Sequence, residues 1–266
     1  MSSPWNSLVA EPRFCFTSDQ DWAPEWALEA LLDWVRERAI PLHVFRTSAS
    51  EILDDAVQRG EITQGWHPNL APTSSHGSSI EEVVAWFTEN FPGSISVRGH
   101  GFNESYAAWS AFAVAGIEYD SQFPAAFSAH LVPAVHATGL VRMPVYLEDD
   151  LWLGAFPGRY TPEVIRETLF TAGLKIMNVH AAHLGLNTPS LSAYRAVAST
   201  FYESRAPGRL VHRGDGIRTM IDSVVAAIAE RGKEFEPFET LCHEASSVVE
   251  STPGLAVGIR PTATLQ

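Results

Sequence analysis

Short apolar runs alternate with amphipathic segments along almost the whole chain. The runs predict strands at residues 13–17, 42–46, 62–67, 94–97, 117–119, 140–147 and 174–179, with a weaker eighth candidate at 237–241. Between them, residues 24–38, 80–90, 104–115, 162–172, 190–203 and 217–231 place apolar side chains at helical spacing. Repeated strand–helix units are typical of a parallel sheet covered by helices. The pattern therefore predicts an α/β protein.

Three stretches fall outside this alternation. Residues 69–79 concentrate Pro, Ser, Gly and Asn, which predicts a loop after the third strand. Residues 122–138 are apolar but interrupted by Pro124 and Pro133, so they receive no assignment. The tail after Ser246 has no clear periodicity and is expected to wrap the surface.

Composition and charge narrow the class of protein. The 266 residues suit one domain with a core at about 13–241, and 45% hydrophobic residues are enough for a large core. A net charge of −13 opposes binding to nucleic acid or to anionic lipid. No stretch of about 18 apolar residues predicts a membrane span, and residues 1–13 lack a signal-peptide pattern. Cys15 is expected to be a buried thiol, and a cytoplasmic protein is expected.

Side chains suited to metal-assisted hydrolysis follow several predicted strands. Asp19 and Asp21 lie just after the first strand, and His67 follows the third strand, with His76 in the loop beyond it. Because parallel strands of a barrel open their carboxyl ends on one face, these side chains are expected to meet. Imidazole and carboxylate can hold zinc, and a second carboxylate can act as a base. The alternative is structural, since an Asp at a strand end also caps helices or fixes turns.

More polar residues follow the fourth, sixth and seventh strands. Arg98 can hold a carboxylate in a fixed orientation, or it can form a structural salt bridge at the rim. Glu148-Asp149-Asp150 forms either a solvated turn or a set of pocket acids beside Trp152, which would supply an apolar wall for a sugar. His180 can give a proton to a leaving amine, which the second half of amide hydrolysis requires.

Taken together, these motifs resemble the polysaccharide deacetylase superfamily, the NodB-homology carbohydrate esterases, and within it the divergent WbmS-like branch associated with O-antigen biosynthesis. The resemblance covers residues from about 13 to 241. It implies a single, irregular, seven-stranded (β/α) barrel of the polysaccharide deacetylase type. Thr17-Ser18-Asp19-Gln20-Asp21 is similar to the first motif of that family, and by this match Asp19 is the catalytic base and Asp21 a metal ligand.

The other motifs of the family are matched in part. By resemblance, Arg98 supports the base, His180 is the general acid, and Asp150 with Trp152 corresponds to the fourth motif, which places Asp150 among the catalytic residues. The family usually places two ligand histidines four residues apart, but Ala71 stands four residues after His67.

The resemblance implies a divalent metal ion, expected to be Zn²⁺, held by Asp21, His67 and a further ligand. His76 is the best substitute for the second histidine, with His100 or a water as the alternative. The candidate substrate-binding residues are His100, Asp120, Trp152 and His183.

The expected function is metal-dependent removal of an acetyl group from an N-acetylated sugar or sugar precursor. Two alternatives stay open. One is another barrel metallohydrolase acting on C–N amide bonds, although such enzymes typically carry His-x-His after the first strand, where this chain has Asp-x-Asp. The other is a non-catalytic protein that binds a glycan or a partner protein through an altered pocket.

Overall fold

The computed structural model describes residues 3–155, 162–203, 207–252 and 255, and it confirms the α/β class. Within these residues one sheet contains nine strands: β1 (Pro12–Asp19), β2 (Leu42–Arg46), β3 (Ile62–Trp66), β4 (Ser96–Val97), β5 (Tyr119–Asp120), β6 (Ala134–Val135), β7 (Val141–Arg142), β8 (Val145–Glu148) and β9 (Gly173–Asn178).

Helices connect and cover these strands. The described residues contain nine α-helices: α1 (Glu25–Glu37), α2 (Glu51–Gln58), α3 (Ile80–Asn90), α4 (Tyr106–Val114), α5 (Pro162–Leu169), α6 (Ala181–Leu186), α7 (Leu191–Glu203), α8 (Ile217–Glu230) and α9 (Phe238–Ser251). Shorter helical turns lie at Pro4–Ser7, His100–Phe102, Leu151–Ala155 and Pro207–Arg209. Among the helices in the described part of the chain, none has the length and apolar content needed to span a bilayer.

The sheet is curled, and it is parallel except at one edge. Its strand order is β6-β7-β5-β4-β3-β2-β1-β9-β8, with β6 and β7 antiparallel. Pro124, which follows β5, forms a parallel bridge to Val145 of β8 at the far end of this order. The two sides of the curl therefore approach each other. The parallel strands open their carboxyl ends on one rim, where functional residues of such folds are found.

The expected count of seven strands is wrong, and the reasons are local. Residues 140–147 form two strands, β7 and β8, on either side of Met143 and Pro144, because proline has no amide hydrogen to continue a ladder. β6 lies inside the stretch 122–138 that received no assignment. The weak candidate at 237–241 is the beginning of α9, which continues beyond Ser246 to Ser251.

Side chains of β1 alternate between the two faces of the sheet. Phe14 and Phe16 belong to the same hydrophobic cluster as α1, whose Leu28 and Leu31 are fully buried. Each such leucine or phenylalanine stabilises the fold by about 1.5–3 kcal/mol through the apolar surface removed from water. The helix expected at residues 24–38 is thereby confirmed, and it packs on the outer face of the curl.

The inner face is apolar at its base and polar at its rim. Along β1 the inward positions are Cys15, Thr17 and Asp19, and along β9 they include Ile176 and Asn178. α9 packs against the apolar base. Because side chains of a strand repeat with a period of two, the same alternation that buries the base also places a carboxylate and an amide at the rim.

Lys175, on the outer face of β9, is a buried cation whose ammonium group has no hydrogen-bond partner among the described residues. Its Nζ lies 5.2 Å from the centroid of the Tyr146 ring, and none of the described residues accepts a hydrogen bond from it. Burial lowers the pKa of Lys175 to about 8. The ammonium group therefore opposes folding at neutral pH, since its charge loses hydration without gaining a counter-ion.

We expect Lys175→Met to raise the free energy of unfolding by about 1–3 kcal/mol at pH 7, measured by denaturant titration. Because the folded-state pKa lies below the unfolded value, wild-type stability should rise as pH increases from about 8 to about 10.5. The difference between variant and wild type should shrink over that range. Lys233→Met, at a partly exposed site where the ammonium group pairs with Glu11, is the control with an effect within about 1 kcal/mol. A Lys175→Met protein that is less stable than wild type at pH 7 contradicts this account.

Candidate active site

Arg98 lies at the centre of the rim and joins strands from opposite sides of the curl. Its Nη1 donates to Thr17 Oγ1 at 3.0 Å, to Asp19 Oδ1 at 2.9 Å and to Asn178 Oδ1 at 2.7 Å. Its Nε and Nη2 donate to the carbonyl and hydroxyl of Ser121 at 2.9 and 2.8 Å. The guanidinium is fully buried, so its charge depends on these partners rather than on water.

Asp19 is the buried carboxylate of this network. Asn178 Nδ2 donates to its Oδ2 at 2.8 Å, while Arg98 holds its Oδ1. Burial alone would raise the pKa of Asp19, but electrostatic interactions with His67 and Arg98 lower it overall. Asp19 is therefore a carboxylate, rather than a carboxylic acid, at neutral pH.

Asp21 reaches the same space because the backbone turns sharply after β1. Asp21 and Trp22 both have left-handed backbone conformations, with φ of 47° and 53°, and the amide of Trp22 donates to Thr47 Oγ1 at 3.0 Å. Such conformations are unfavourable for residues other than glycine, and they recur at functional sites. The turn directs the Asp21 carboxylate toward histidines that follow β3 and β4.

Three side chains converge as a group that can hold a cation. Ligand atoms of Asp21, His67 and His100 all lie within 4.8 Å of one another. Asp21 Oδ1 is 2.9 Å from His67 Nε2 and 2.9 Å from His100 Nδ1. Burial alone would raise the pKa of Asp21, but its contacts with His100, His180 and His67 hold it well below the usual range.

His67 gives the most direct indication that this group suits a metal ion. Both of its ring nitrogens are buried, and neither is aligned for a hydrogen bond with a described residue, although Nε2 approaches Asp21 so closely. A buried imidazole without a hydrogen bond is costly in a metal-free protein. One carboxylate and two imidazoles form a donor set that zinc prefers, and they leave coordination positions open. The residues present therefore fit a divalent cation.

His180 stands on the other side of Asp21 and is held by Asp149. Its Nδ1 lies 2.6 Å from Asp149 Oδ1, and its backbone amide donates to Asp149 Oδ2 at 2.8 Å. Its Nε2 lies 3.2 Å from Asp21 Oδ2 and 3.9 Å from Asp19 Oδ2. Burial alone would lower the pKa of His180, but the charge and hydrogen bond of Asp149 raise it well above the ordinary value. Asp149 therefore favours the protonated form of the ring.

The structure brings together six of the residues singled out in the sequence. They are Asp19, Asp21, His67, Arg98, His100 and His180. His100 joins the cation-holding group rather than standing apart from it.

His76 lies outside this cluster. Its Nδ1 accepts from the amide of Asn69 at 3.0 Å, and its Nε2 lies 2.7 Å from the carbonyl of Thr47. The ring also stacks on Trp22, with 5.5 Å between centroids. Both ring nitrogens of His76 thus contact the backbone. His100, rather than His76, is therefore the proposed third ligand beside Asp21 and His67.

Asp150, His183 and Trp152, which the sequence also singled out, are not among these six residues. Asp150 lies 2.9 Å from His183 Nε2, and it is Asp149, not Asp150, that contacts His180. Trp152 packs against the hydrophobic core.

Asp120 is a buried ion-pair partner rather than an exposed acceptor. Arg142 Nε lies 3.0 Å from its Oδ1, and the amide of Gln122 donates to the same oxygen at 3.3 Å. Burial raises the pKa of Asp120 to about 6. Its carboxylate thus contacts Arg142 and Gln122 and is not exposed to a substrate.

Two residues of the site carried no assigned role in the sequence, namely Asp149 and Asn178. The signal for Asn178 was present, since it lies two positions before His180 at the end of a strand. The signal for Asp149 was ambiguous, because three acids stand together in Glu148-Asp149-Asp150. Burial raises the pKa of Glu148 to about 8, with a further contribution from the charge of Asp149.

We expect His100→Ala to weaken zinc binding by more than about 10-fold, measured by titration against a metal indicator. His76→Gln is the matched control, since it removes a neighbouring imidazole but should leave the affinity within about threefold. The reverse order, with His76→Gln losing the metal, would contradict the assignment of the group.

Comparison with protein families matches residues 16–198 to the family described as WbmS-like polysaccharide deacetylase. Comparison with curated protein sequences finds no match. Among solved structures, the chain is similar to WbmS of Bordetella bronchiseptica, assigned as a polysaccharide deacetylase involved in O-antigen biosynthesis. The two share 24% identity with a TM-score of 0.70, over 80% of this chain and 89% of that chain.

Two further structures show weaker similarity. One is assigned as a polysaccharide deacetylase from Mycobacterium smegmatis, with 15% identity and a TM-score of 0.49 over 85% of this chain and 92% of that chain. The other is a family 4 carbohydrate esterase from Streptomyces lividans in complex with acetate, with 10% identity and a TM-score of 0.45 over 84% of this chain and 91% of that chain.

The matched residues 16–198 include the buried Asp19–Arg98 pair and the carboxylate–imidazole group on the carboxyl rim of the sheet. The family match extends over well more than half of the sequence. The chain belongs to the WbmS-like polysaccharide deacetylase family.

Proposed function

We propose that this protein is a metal-dependent hydrolase that removes an acetyl group from an N-acetylated sugar or sugar precursor. The observation that carries the proposal is the convergence of Asp21, His67 and His100 beside one buried carboxylate, Asp19, and one imidazole held by Asp149, His180. Amide hydrolysis requires a proton acceptor for water and a proton donor for the leaving nitrogen. The site offers both within a few ångströms.

A divalent cation, proposed to be Zn²⁺, would be held by Asp21, His67 and His100. When bound, such an ion polarises an acyl carbonyl and lowers the pKa of a water molecule to about 7. Waters or substrate atoms would complete its coordination, since structural zinc sites usually have four protein ligands and catalytic sites three.

The protein side chains supply the proton transfers. Asp19 takes the proton of the attacking water, while Arg98 remains paired with Asp19 Oδ1 and keeps the carboxylate in place. His180 Nε2 then donates its proton to the leaving nitrogen as the C–N bond breaks, giving acetate and a free amine. Asp149 stays on His180 Nδ1, where it orients the ring and stabilises its charged form.

Substrate contacts are proposed for the exposed side of the rim. The Asp150 side chain is about half exposed, and His183 fixes one of its oxygens. Its remaining acceptor positions can take hydrogen bonds from sugar hydroxyls. Asp120 and Trp152 do not enter this proposal, because their contacts lie within the protein.

Metal analysis and acetate release together test the proposal. Protein purified without added zinc is expected to contain about one equivalent of divalent metal and to release acetate from N-acetylated sugars or nucleotide-linked N-acetyl sugars. A chelator should stop release, and added Zn²⁺ should restore it. Bound metal without acetate release would favour a different amide hydrolase. If the protein contains no bound metal and releases no acetate, a non-catalytic glycan-binding protein is favoured.

A further inference from the structure

Asn178 is a buried amide that links the Asp–Arg pair to a third strand. It is the last residue of β9, pairs in register with Thr17 of β1 and is fully buried. Its Oδ1 accepts from Arg98 Nη1 at 2.7 Å, and its Nδ2 donates to Asp19 Oδ2 at 2.8 Å. Among its described contacts, both ends of the amide are thus engaged by one ion pair.

The orientation of this amide follows from the chemistry of its partners. A guanidinium group only donates hydrogen bonds, and an ionised carboxylate only accepts them. The carbonyl oxygen of Asn178 must therefore face Arg98, and its amino group must face Asp19. Neither an ionised carboxylate nor an apolar side chain can both accept from Arg98 and donate to Asp19.

Asn178 also completes the fixation of Asp19. Arg98 holds Oδ1 from the end of β4, and Asn178 holds Oδ2 from the end of β9. With each oxygen tied to a different strand, the plane of the carboxylate is set. Each oxygen keeps a further acceptor position, and Oδ2 is the oxygen 3.9 Å from His180 Nε2.

We infer that Asn178 is a positioning residue for hydrolysis, which orients the Asp19 carboxylate so that the free acceptor position of Oδ2 faces the attacking water. This inference rests on the proposed function. Small displacements of a reacting group cost up to about 100-fold in rate, because they remove the alignment that binding has already established. Asn178 acts through Asp19 and does not itself touch the reacting atoms.

Two substitutions separate this role from a purely structural one. Asn178→Asp keeps the shape but replaces the donor that faces Asp19 with an acceptor, and Asn178→Leu removes both hydrogen bonds. We expect each to lower kcat by about 10- to 100-fold per folded molecule, with KM and bound metal within about twofold to threefold. Lys175→Met, three positions earlier on the outer face of the same strand, is the control and should keep wild-type kcat.

A double-mutant cycle with Asp19→Ala tests whether Asn178 acts through Asp19. In that background Asn178→Leu should change the residual rate by less than about threefold, because the group that it orients is gone. Full kcat in both Asn178 variants, or losses that multiply with that of Asp19→Ala, overturns the inference while the proposed function stands. A wild-type protein that releases no acetate overturns both.

Discussion

Replacing Asp21 with asparagine is expected to remove bound metal and hydrolysis together. Asp21 is the anionic member of the cation-holding group, and its Oδ1 lies 2.9 Å from both His67 Nε2 and His100 Nδ1. A neutral amide cancels the charge that attracts a divalent ion and can place a donor toward the imidazoles. We expect zinc affinity to fall by more than about 100-fold, since loss of an outer partner of a metal ligand alone costs about 10–100-fold.

Metal content by elemental analysis and acetate release measure this effect. Asp33→Asn on the exposed side of α1 is the matched control, because it makes the same chemical change at a surface ion pair. That variant should keep wild-type metal content and rate. An Asp21→Asn protein that retains both stoichiometric metal and most of its rate is incompatible with the proposed group.

Replacing Asp19 with asparagine should separate metal binding from catalysis. The substitution leaves the cation-holding group unchanged, so metal content should stay the same. Because the proton acceptor is lost, kcat should fall by about 100- to 10,000-fold. An amide at position 19 must also direct a donor toward Arg98 or toward Asn178, both of which donate to Asp19. We therefore expect a lower melting temperature as well.

The Asp19→Asn and Asp21→Asn variants should differ in their metal content. Asp19→Asn should bind metal and fail to turn over, whereas Asp21→Asn should fail at both. Kinetics on metal-loaded protein and thermal unfolding measure the two effects for each variant. Loss of metal with retained turnover in Asp19→Asn would refute the assignment of Asp19 as the base.

Burial of charge at the rim is balanced within the protein rather than by solvent. Asp19 is compensated by Arg98, and Asp149 by His180, both at hydrogen-bonding distance. Removing one partner of a buried pair leaves the other charge uncompensated, at a cost of about 3–5 kcal/mol. The site therefore depends on complete pairs, and single substitutions in it should affect stability as well as rate.

The α/β class and most helices were readable from the sequence, because burial imposes a period on every segment. Residues 42–46 and 80–90 match β2 and α3 residue for residue. The two-residue strand β6 was not predicted, since it is too short to show a period, and β7 was merged with β8 into one predicted strand. α2 and α6, with eight and six residues, escaped for a similar reason.

The choice between His76 and His100 shows where sequence spacing fails. His76 is nearer to His67 in the chain, but its nitrogens bond to the backbone. His100 follows β4, and the pairing of β4 with β3 brings it beside His67. Distance along the chain says little about distance across neighbouring parallel strands.

The sequence by itself determined the alternation of strands and helices, the carboxyl-end placement of Asp19, Arg98 and His180, and the resemblance to a deacetylase family. These features follow from local periodicity and from residue identity at strand ends. Only the tertiary structure decided that His100 joins Asp21 and that Asp149, rather than its two acidic neighbours, holds His180. Such contacts depend on the curl of the sheet and on a left-handed turn at Asp21, which no periodic pattern encodes.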